Sequence, residues 1–300
     1  MLNRQNKRFI LGVFFILLNN LVCCIQQVIN KMLLNSLSGF QIAFLYKFCL
    51  FICILCYVLC KGVNNVYTSK LWLHLLRAIL SITGALIFIN VLKFLPLAES
   101  TALLLTEPLF MSVLAVIFLR EYINKSIILV LLLGCIGSLI IIRPGTLGFN
   151  VKSLWVIIAS LIWAVDNLVI KLLGRTETST QYLFYISLFS WMLVMPFALY
   201  TWKPVELAHL PWTIILALLY FIHLVAIFKA FSLVNLPSLA PFDFSRVIFS
   251  SLLGYFVFYE AFDLWVIIGA MIIVGSYSYI LKKNTEYNKK EVINTQALLL

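Results

Sequence analysis

Long apolar stretches and short polar breaks alternate along this chain. Ten stretches are long enough to read as helices: 9–29, 40–60, 71–92, 97–118, 126–142, 152–172, 181–200, 211–232, 238–258 and 264–281. Roughly 20 apolar residues cross the hydrocarbon core of a bilayer as an α-helix. Within each stretch the apolar residues are continuous. A membrane β-strand alternates instead, because its two faces meet lipid and lumen in turn. Lipid offers the backbone no hydrogen-bonding partner, which leaves helices as the spanning structure. The pattern predicts an all-α membrane protein of ten transmembrane helices.

The polar breaks are too short to hold a soluble catalytic or nucleotide-binding domain. Composition agrees: of 300 residues, 63% are hydrophobic and only 11% charged, against about a quarter charged in soluble domains. Arg4, Lys7 and Arg8 precede the first stretch as in a secretion signal. That stretch is long and lacks a small-residue cleavage site, so it reads as a retained helix. A net charge of +11 would suit nucleic acid if it were clustered, but its distribution points to the membrane. With the N-terminus in the cytoplasm, thirteen Lys and Arg fall on the cytoplasmic side. Five fall outside: Lys31, Lys93, Arg143, Lys152 and Lys203. This is the positive-inside bias, and ten spans put both termini inside. Four more basic residues, Lys47, Arg77, Lys229 and Arg246, lie within spans. Cys49, Cys53, Cys56 and Cys60 share a face of the second helix. With no second pair or nearby histidine, they read as small packing residues and not as metal ligands.

The chain repeats itself. QQVINKMLL at 26–34 is echoed by DNLVIKLL at 166–173, with Lys31 falling on Lys171. The fourth helix ends in Leu119-Arg120-Glu121 and the ninth in Phe258-Tyr259-Glu260. A helix containing glycine follows each, with Gly134 and Gly137 in one and Gly269 and Gly275 in the other. The offset is about 138 to 140 residues throughout. The expected units are a five-helix repeat at 1–143, a second at 144–283 and a cytoplasmic tail at 284–300. Five is odd, so the second repeat enters the membrane from the opposite side. Inverted repeats are a common plan of secondary transporters, with the substrate site near the midplane between them.

Charge inside a membrane costs about 2.5–3.5 kcal/mol at a helix centre and persists where it is paired or faces a wet cavity. Candidates are Arg77, Glu99, Glu107, Asp166, His223, Lys229, Asp243 and Arg246. The fourth and ninth helices occupy equivalent places in the repeat, and both carry a proline among polar residues, Pro108 and Pro241. Proline frees a backbone carbonyl one turn earlier. Asp243 and Arg246, three apart, can pair with each other, and Arg77 can pair with Glu107. Asn20, Gln27 and Lys31 share a face of the first helix. Tyr46 and Trp163 sit beside polar neighbours and can stack on a ring or face a cation. The substrate-binding candidates are therefore Glu107, Asp243, Arg246, Arg77, Glu99, Tyr46, Trp163, Asp166 and Asn20. The chain has no G-x-x-x-x-G-K-[ST], no G-x-S-x-G, no H-E-x-x-H and only three histidines. Neither nucleotide hydrolysis nor an intramembrane enzyme is expected, and no cofactor.

The duplicated plan, the lysine near the end of the first and sixth helices, and the glutamate motifs after the fourth and ninth resemble the EamA branch of the drug/metabolite transporter superfamily. His74-Leu75-Leu76-Arg77, and Lys229-Ala230-Phe231-Ser232-Leu233-Val234 leading to Ala240-Pro241-Phe242, are similar to S-adenosylmethionine uptake carriers of obligate intracellular bacteria. The order of charges after Ala240-Pro241, acidic Asp243 before basic Arg246, departs from those carriers. The resemblance implies a secondary transporter in a bacterial inner membrane, working by alternating access on a small polar metabolite. S-adenosylmethionine uptake is its first reading and export of amino acids or related metabolites its second. Glu107 or Asp243 would face the cargo's cation, Arg77 or Arg246 its carboxylate, and aromatic residues its adenine. The implied partners are the solute, membrane lipid, a coupling ion or exchanged solute, and a second copy of the chain.

Overall fold

The computed structural model describes residues 2–62, 66–95, 100–101, 103–121, 123, 125–142, 152–259 and single positions between 265 and 275. Every regular element among them is helical: α1 (Leu2–Leu33), α2 (Gly39–Lys61), α3 (Leu71–Val91), α4 (Thr106–Leu119), α5 (Lys125–Ile142), α6 (Lys152–Gly174), α7 (Ser179–Tyr200), α8 (Leu210–Leu233) and α9 (Ser245–Phe258). A 3-10 turn (Leu207–His209) leads into α8. A one-turn helix (Leu236–Leu239) and a second 3-10 turn (Ala240–Phe244) lead into α9. Six helices are long and apolar enough to cross a membrane: α1, α2, α3, α6, α7 and α8. Most of the expected tenth span, 264–281, lies outside the described residues.

Two expected spans are broken. In the stretch expected at 97–118, Ser100, Thr101 and Leu103 are helical, Leu104 and Leu105 form a turn, and α4 starts only at Thr106. Pro108 is the cause. It has no N–H to give the Leu104 carbonyl, which accepts from the Glu107 N–H one residue earlier (2.9 Å). The stretch expected at 238–258 likewise starts in the end of the one-turn helix, passes through the 3-10 turn containing Pro241 and resumes as α-helix at Ser245. α4 and α9 have 14 residues each, about 21 Å of helix, against a hydrocarbon core of about 30 Å. In α1 the helix runs past its expected limits, because the polar residues 4–8 extend it beyond the apolar stretch.

The duplication is visible in backbone detail. α4 and α9 both end in a left-handed residue that is not glycine, Arg120 (φ 52°) and Tyr259 (φ 54°). The N–H of each returns to a carbonyl five residues back, on Ala115 and Gly254. α2 is capped by Ser38, whose hydroxyl accepts from the Gln41 N–H, and α7 by Thr178, whose hydroxyl accepts from the Gln181 N–H. Each glutamine then crosses to the other half. Gln41 donates to the Lys203 carbonyl (2.7 Å) and accepts from its N–H (3.1 Å), and Gln181 donates to the Tyr67 carbonyl (2.6 Å).

The halves pack through equivalent pairs: α1 on α8 and α6 on α3, α1 on α9 and α6 on α4, with α2 against α7. Buried alanines such as Ala78, Ala115 and Ala164 let the backbones approach, as membrane helix contacts require. The outward faces carry large apolar side chains, among them Ile117, Phe118, Phe197 and Phe256. Gly134 of α5 meets the Phe244 ring, where a Cβ would stand within 3 Å of it.

Candidate functional site

At the centre, α1, α2, α3, α4, α6, α8 and α9 surround a cavity of about 130 Å³. Its wall includes Tyr46 and Lys47 of α2, Arg77 of α3, Glu107 of α4, Trp163 and Asp166 of α6, Tyr220 of α8 and Arg246 of α9. The breaks in the fourth and ninth stretches bring their charges here. Glu107 lies in the first turn of α4, where the unpaired N–H groups of a helix start favour a carboxylate. Arg246 lies in the first turn of α9, where the same field opposes a cation, so it needs anions nearby.

It has them. Arg246 Nη1 donates to Glu107 Oε2 (2.9 Å), Nε donates to Asn20 Oδ1 (2.8 Å), and Nη2 lies 3.4 Å from Asp243 Oδ1. Glu107 Oε1 accepts from Asn167 Nδ2 (2.7 Å), and Asn20 Nδ2 donates to the Phe242 carbonyl and Ser245 Oγ (both 3.1 Å). Glu107 and Arg246 are 139 residues apart, the offset of the repeat. The central ion pair therefore joins one position to its own counterpart in the other half.

A second charge group lies across the cavity. Arg77 Nε stands 3.5 Å from Asp166 Oδ1, and the guanidinium lies over the Tyr182 ring at 4.5 Å. Lys47 donates to Tyr220 Oη (2.9 Å), its ammonium 4.1 Å from the centre of that ring. Tyr220 meets Tyr46 edge-on (5.2 Å between centroids) and stacks on His223. His223 Nδ1 shares a hydrogen bond with Asn19 Oδ1 (2.6 Å).

Six of the nine expected site residues line the cavity: Tyr46, Arg77, Glu107, Trp163, Asp166 and Arg246. Asn20 and Asp243 stand behind Arg246 and hold it. Glu99 lies outside the described residues. The expected Arg77–Glu107 pair is replaced by two others, Arg77–Asp166 and Arg246–Glu107. The Asp243–Arg246 pair is present, though it spans the junction of the 3-10 turn with α9 and not one helix face. Sequence reasoning missed Asn167, Tyr220 and Lys47 as site residues. Asn167 adjoins Asp166, and Tyr220 lies one turn from His223, so neighbouring polar positions carried the signal.

A separate cluster closes the ends of α4, α6 and α8. Lys171 Nζ donates to the Phe231 and Val234 carbonyls (both 2.6 Å) and lies 3.7 Å from Glu121 Oε1. Glu121 Oε2 accepts from the Leu236 N–H (2.9 Å). These are the lysine and glutamate of the repeated motifs, drawn together.

Several membrane-spanning helices around a buried, charge-lined cavity have the architecture of a membrane carrier. The chain belongs to the EamA-like transporter family, whose model matches residues 10–143 and again 151–282. It is 28% identical over 295 residues to the S-adenosylmethionine uptake transporter of Rickettsia prowazekii (strain Madrid E), covering 98% of this chain and 99% of that one. The transporter of the same name in Rickettsia bellii (strain RML369-C) is 28% identical over 97% of this chain and 100% of its own. A riboflavin transporter of Vibrio cholerae is 29% identical over 79% of this chain and 81% of its own. One solved crystal structure superposes with a TM-score of 0.69 over 90% of this chain and 95% of that chain, at 15% identity. At that identity the likeness is one of fold.

Proposed function

We propose that this protein takes up S-adenosylmethionine across a bacterial inner membrane by alternating access of its central cavity. In this reading ten helices form two inverted repeats, 1–143 and 144–283, with residues 284–300 as a cytoplasmic tail and both termini inside. Antiparallel packing of α1 on α8 supports the inversion, with Asn19 opposite His223 and Phe15 beside Lys229. The observation that carries the transport reading is the buried cavity with both signs of charge, lying where the two halves meet. Near full-length likeness to S-adenosylmethionine carriers supplies the cargo. A cation, an ammonium and a carboxylate on one solute call for carboxylates, guanidinium and aromatic faces together, and the wall has all three. A neutral flavin needs none of the charges, which places riboflavin second.

Binding sites for solutes of this size are typically about 300–1,000 Å³, and the cavity is about 130 Å³. The surrounding helices must part to load it. Energy would come from an ion gradient or an exchanged solute. The test is counterflow of radiolabelled S-adenosylmethionine in proteoliposomes holding only this protein. Accumulation against preloaded unlabelled compound is expected. Its absence, in protein shown to be folded, would remove S-adenosylmethionine as cargo.

A further inference from the structure

We infer that Arg77, Lys47 and Asp166 form a subsite for the head group of an α-amino acid, and that this head group sets the cargo class. The inference rests on the transporter reading above and narrows it.

The two charge groups on the cavity wall differ in how far they satisfy themselves. In the Glu107–Arg246 group both carboxylate oxygens of Glu107 accept hydrogen bonds, and Arg246 is held on three sides. Asp243 Oδ1 has no hydrogen-bond donor among the described residues, but Asp243 stands behind Arg246 and is not part of the cavity wall. In the Arg77 group the unsatisfied atoms belong to residues of the wall itself. Arg77 is buried, yet among the described residues its Nε and Nη1 have no hydrogen-bond acceptor, and Asp166 Oδ1 has no donor. The 3.5 Å approach of Nε to Oδ1 is an ion pair without hydrogen-bond geometry. Lys47 is 1% exposed. Its ammonium meets the Tyr220 hydroxyl and ring, and among the described residues no carboxylate comes within ion-pairing distance of it.

A buried donor left unmade, or a buried cation left without an anion, is destabilising. Here two such cations and an under-satisfied carboxylate face one cavity. A carboxylate placed against Arg77 and Lys47 supplies the missing acceptor and anion. An ammonium beside it supplies a donor to Asp166 Oδ1. An α-amino acid carries both groups on one carbon. Arg77 Cζ is 4.5 Å from the centre of the Tyr182 ring, and the paired N–H donors of a guanidinium suit a two-point contact with a carboxylate. The rest of the cargo then lies toward Tyr46 and Trp163, whose faces suit a cationic sulfonium or a planar ring.

The experiment uses the purified full-length protein in detergent and a panel of probes: S-adenosylmethionine, its decarboxylated analogue, L-methionine, 5′-methylthioadenosine and riboflavin. Affinity is read from the concentration dependence of the thermal shift. The expected result is that S-adenosylmethionine binds at least tenfold more tightly than the decarboxylated analogue. In Arg77→Gln and Lys47→Met the gap falls below threefold. Arg77→Lys, which keeps the charge but not the two-point contact, should be intermediate and guards against simple misfolding. Equal binding of the two analogues by the native protein, or an undiminished gap in both variants, would overturn the subsite. So would binding by no member of the panel. If S-adenosylmethionine is transported without discriminating the carboxylate, the transport reading stands and the subsite fails. If L-methionine binds and S-adenosylmethionine does not, the subsite stands and the cargo proposed above fails.

Discussion

The Glu107–Arg246 pair should be an energetic tie between the two halves, and a double-mutant cycle measures it. Glu107→Gln keeps the shape and leaves an amide oxygen that can still accept from Asn167. It removes the charge facing Arg246 Nη1 at 2.9 Å. Stranding one member of a buried ion pair typically costs about 3–5 kcal/mol. Arg246 keeps Asn20 at 2.8 Å and Asp243 at 3.4 Å, so the loss should sit near about 3 kcal/mol. Arg246→Gln strands both Glu107 and Asp243 and should cost more, toward about 5 kcal/mol. In the double variant neither Glu107 nor Arg246 is left facing a lost charge, so a coupling of about 1–3 kcal/mol is expected. Equilibrium unfolding in mixed micelles supplies the four free energies. Losses that simply add, within about 0.5 kcal/mol, would refute the argument, because the two groups would then not sense one another.

Lys171→Met leaves the Phe231 and Val234 carbonyls without their donor; a loss of about 3 kcal/mol is expected in the same unfolding assay, with Lys171→Arg recovering at least half. Gly84→Val puts a side chain where even a Cβ would stand within 3 Å of the Trp163 indole; overpacking of about 1–3 kcal/mol should accompany a fall in solute accumulation, measured by uptake. Orientation is checked by single cysteines in a background without native cysteines: a membrane-impermeant maleimide on intact cells should label position 203 and spare 175, and the reverse would invert the assigned topology.

Most helix ends were legible because they are the ends of apolar stretches. α2, α3, α6, α7 and α8 begin and stop within two residues of the expected limits. The breaks before α4 and α9 were not, because Leu104, Leu105, Phe242 and Phe244 are as apolar as a continuous helix would be. Pro108 and Pro241 marked loosening without fixing where helix resumes. Individual charges were legible from their cost in lipid, but their partners were not. Spacing along the chain pairs near neighbours, whereas Arg77 and Asp166 meet across α3 and α6. The repeat itself held one clue. Its offset sets Glu107 on Arg246, and equivalent positions of two related halves can meet only on the axis relating them. Lys47 was legible as a basic residue within a span but not as part of the site; its place there follows from its burial against Tyr220.

The crossings made by Gln41 and Gln181 have a bearing on movement. One end of the α2–α7 pair is tied by Gln41 to Lys203 and by Ser38 to Thr201 (2.9 Å). The other end is tied by Gln181 to Tyr67 and by Glu177 to Thr68 (2.9 Å). A machine that opens to one side at a time must release its grip at one face as it tightens at the other. Ties that hold at both faces in one conformation stand outside that exchange. α2 and α7 are thus fastened to each other top and bottom, and an opening of the cavity is expected to keep this pair together.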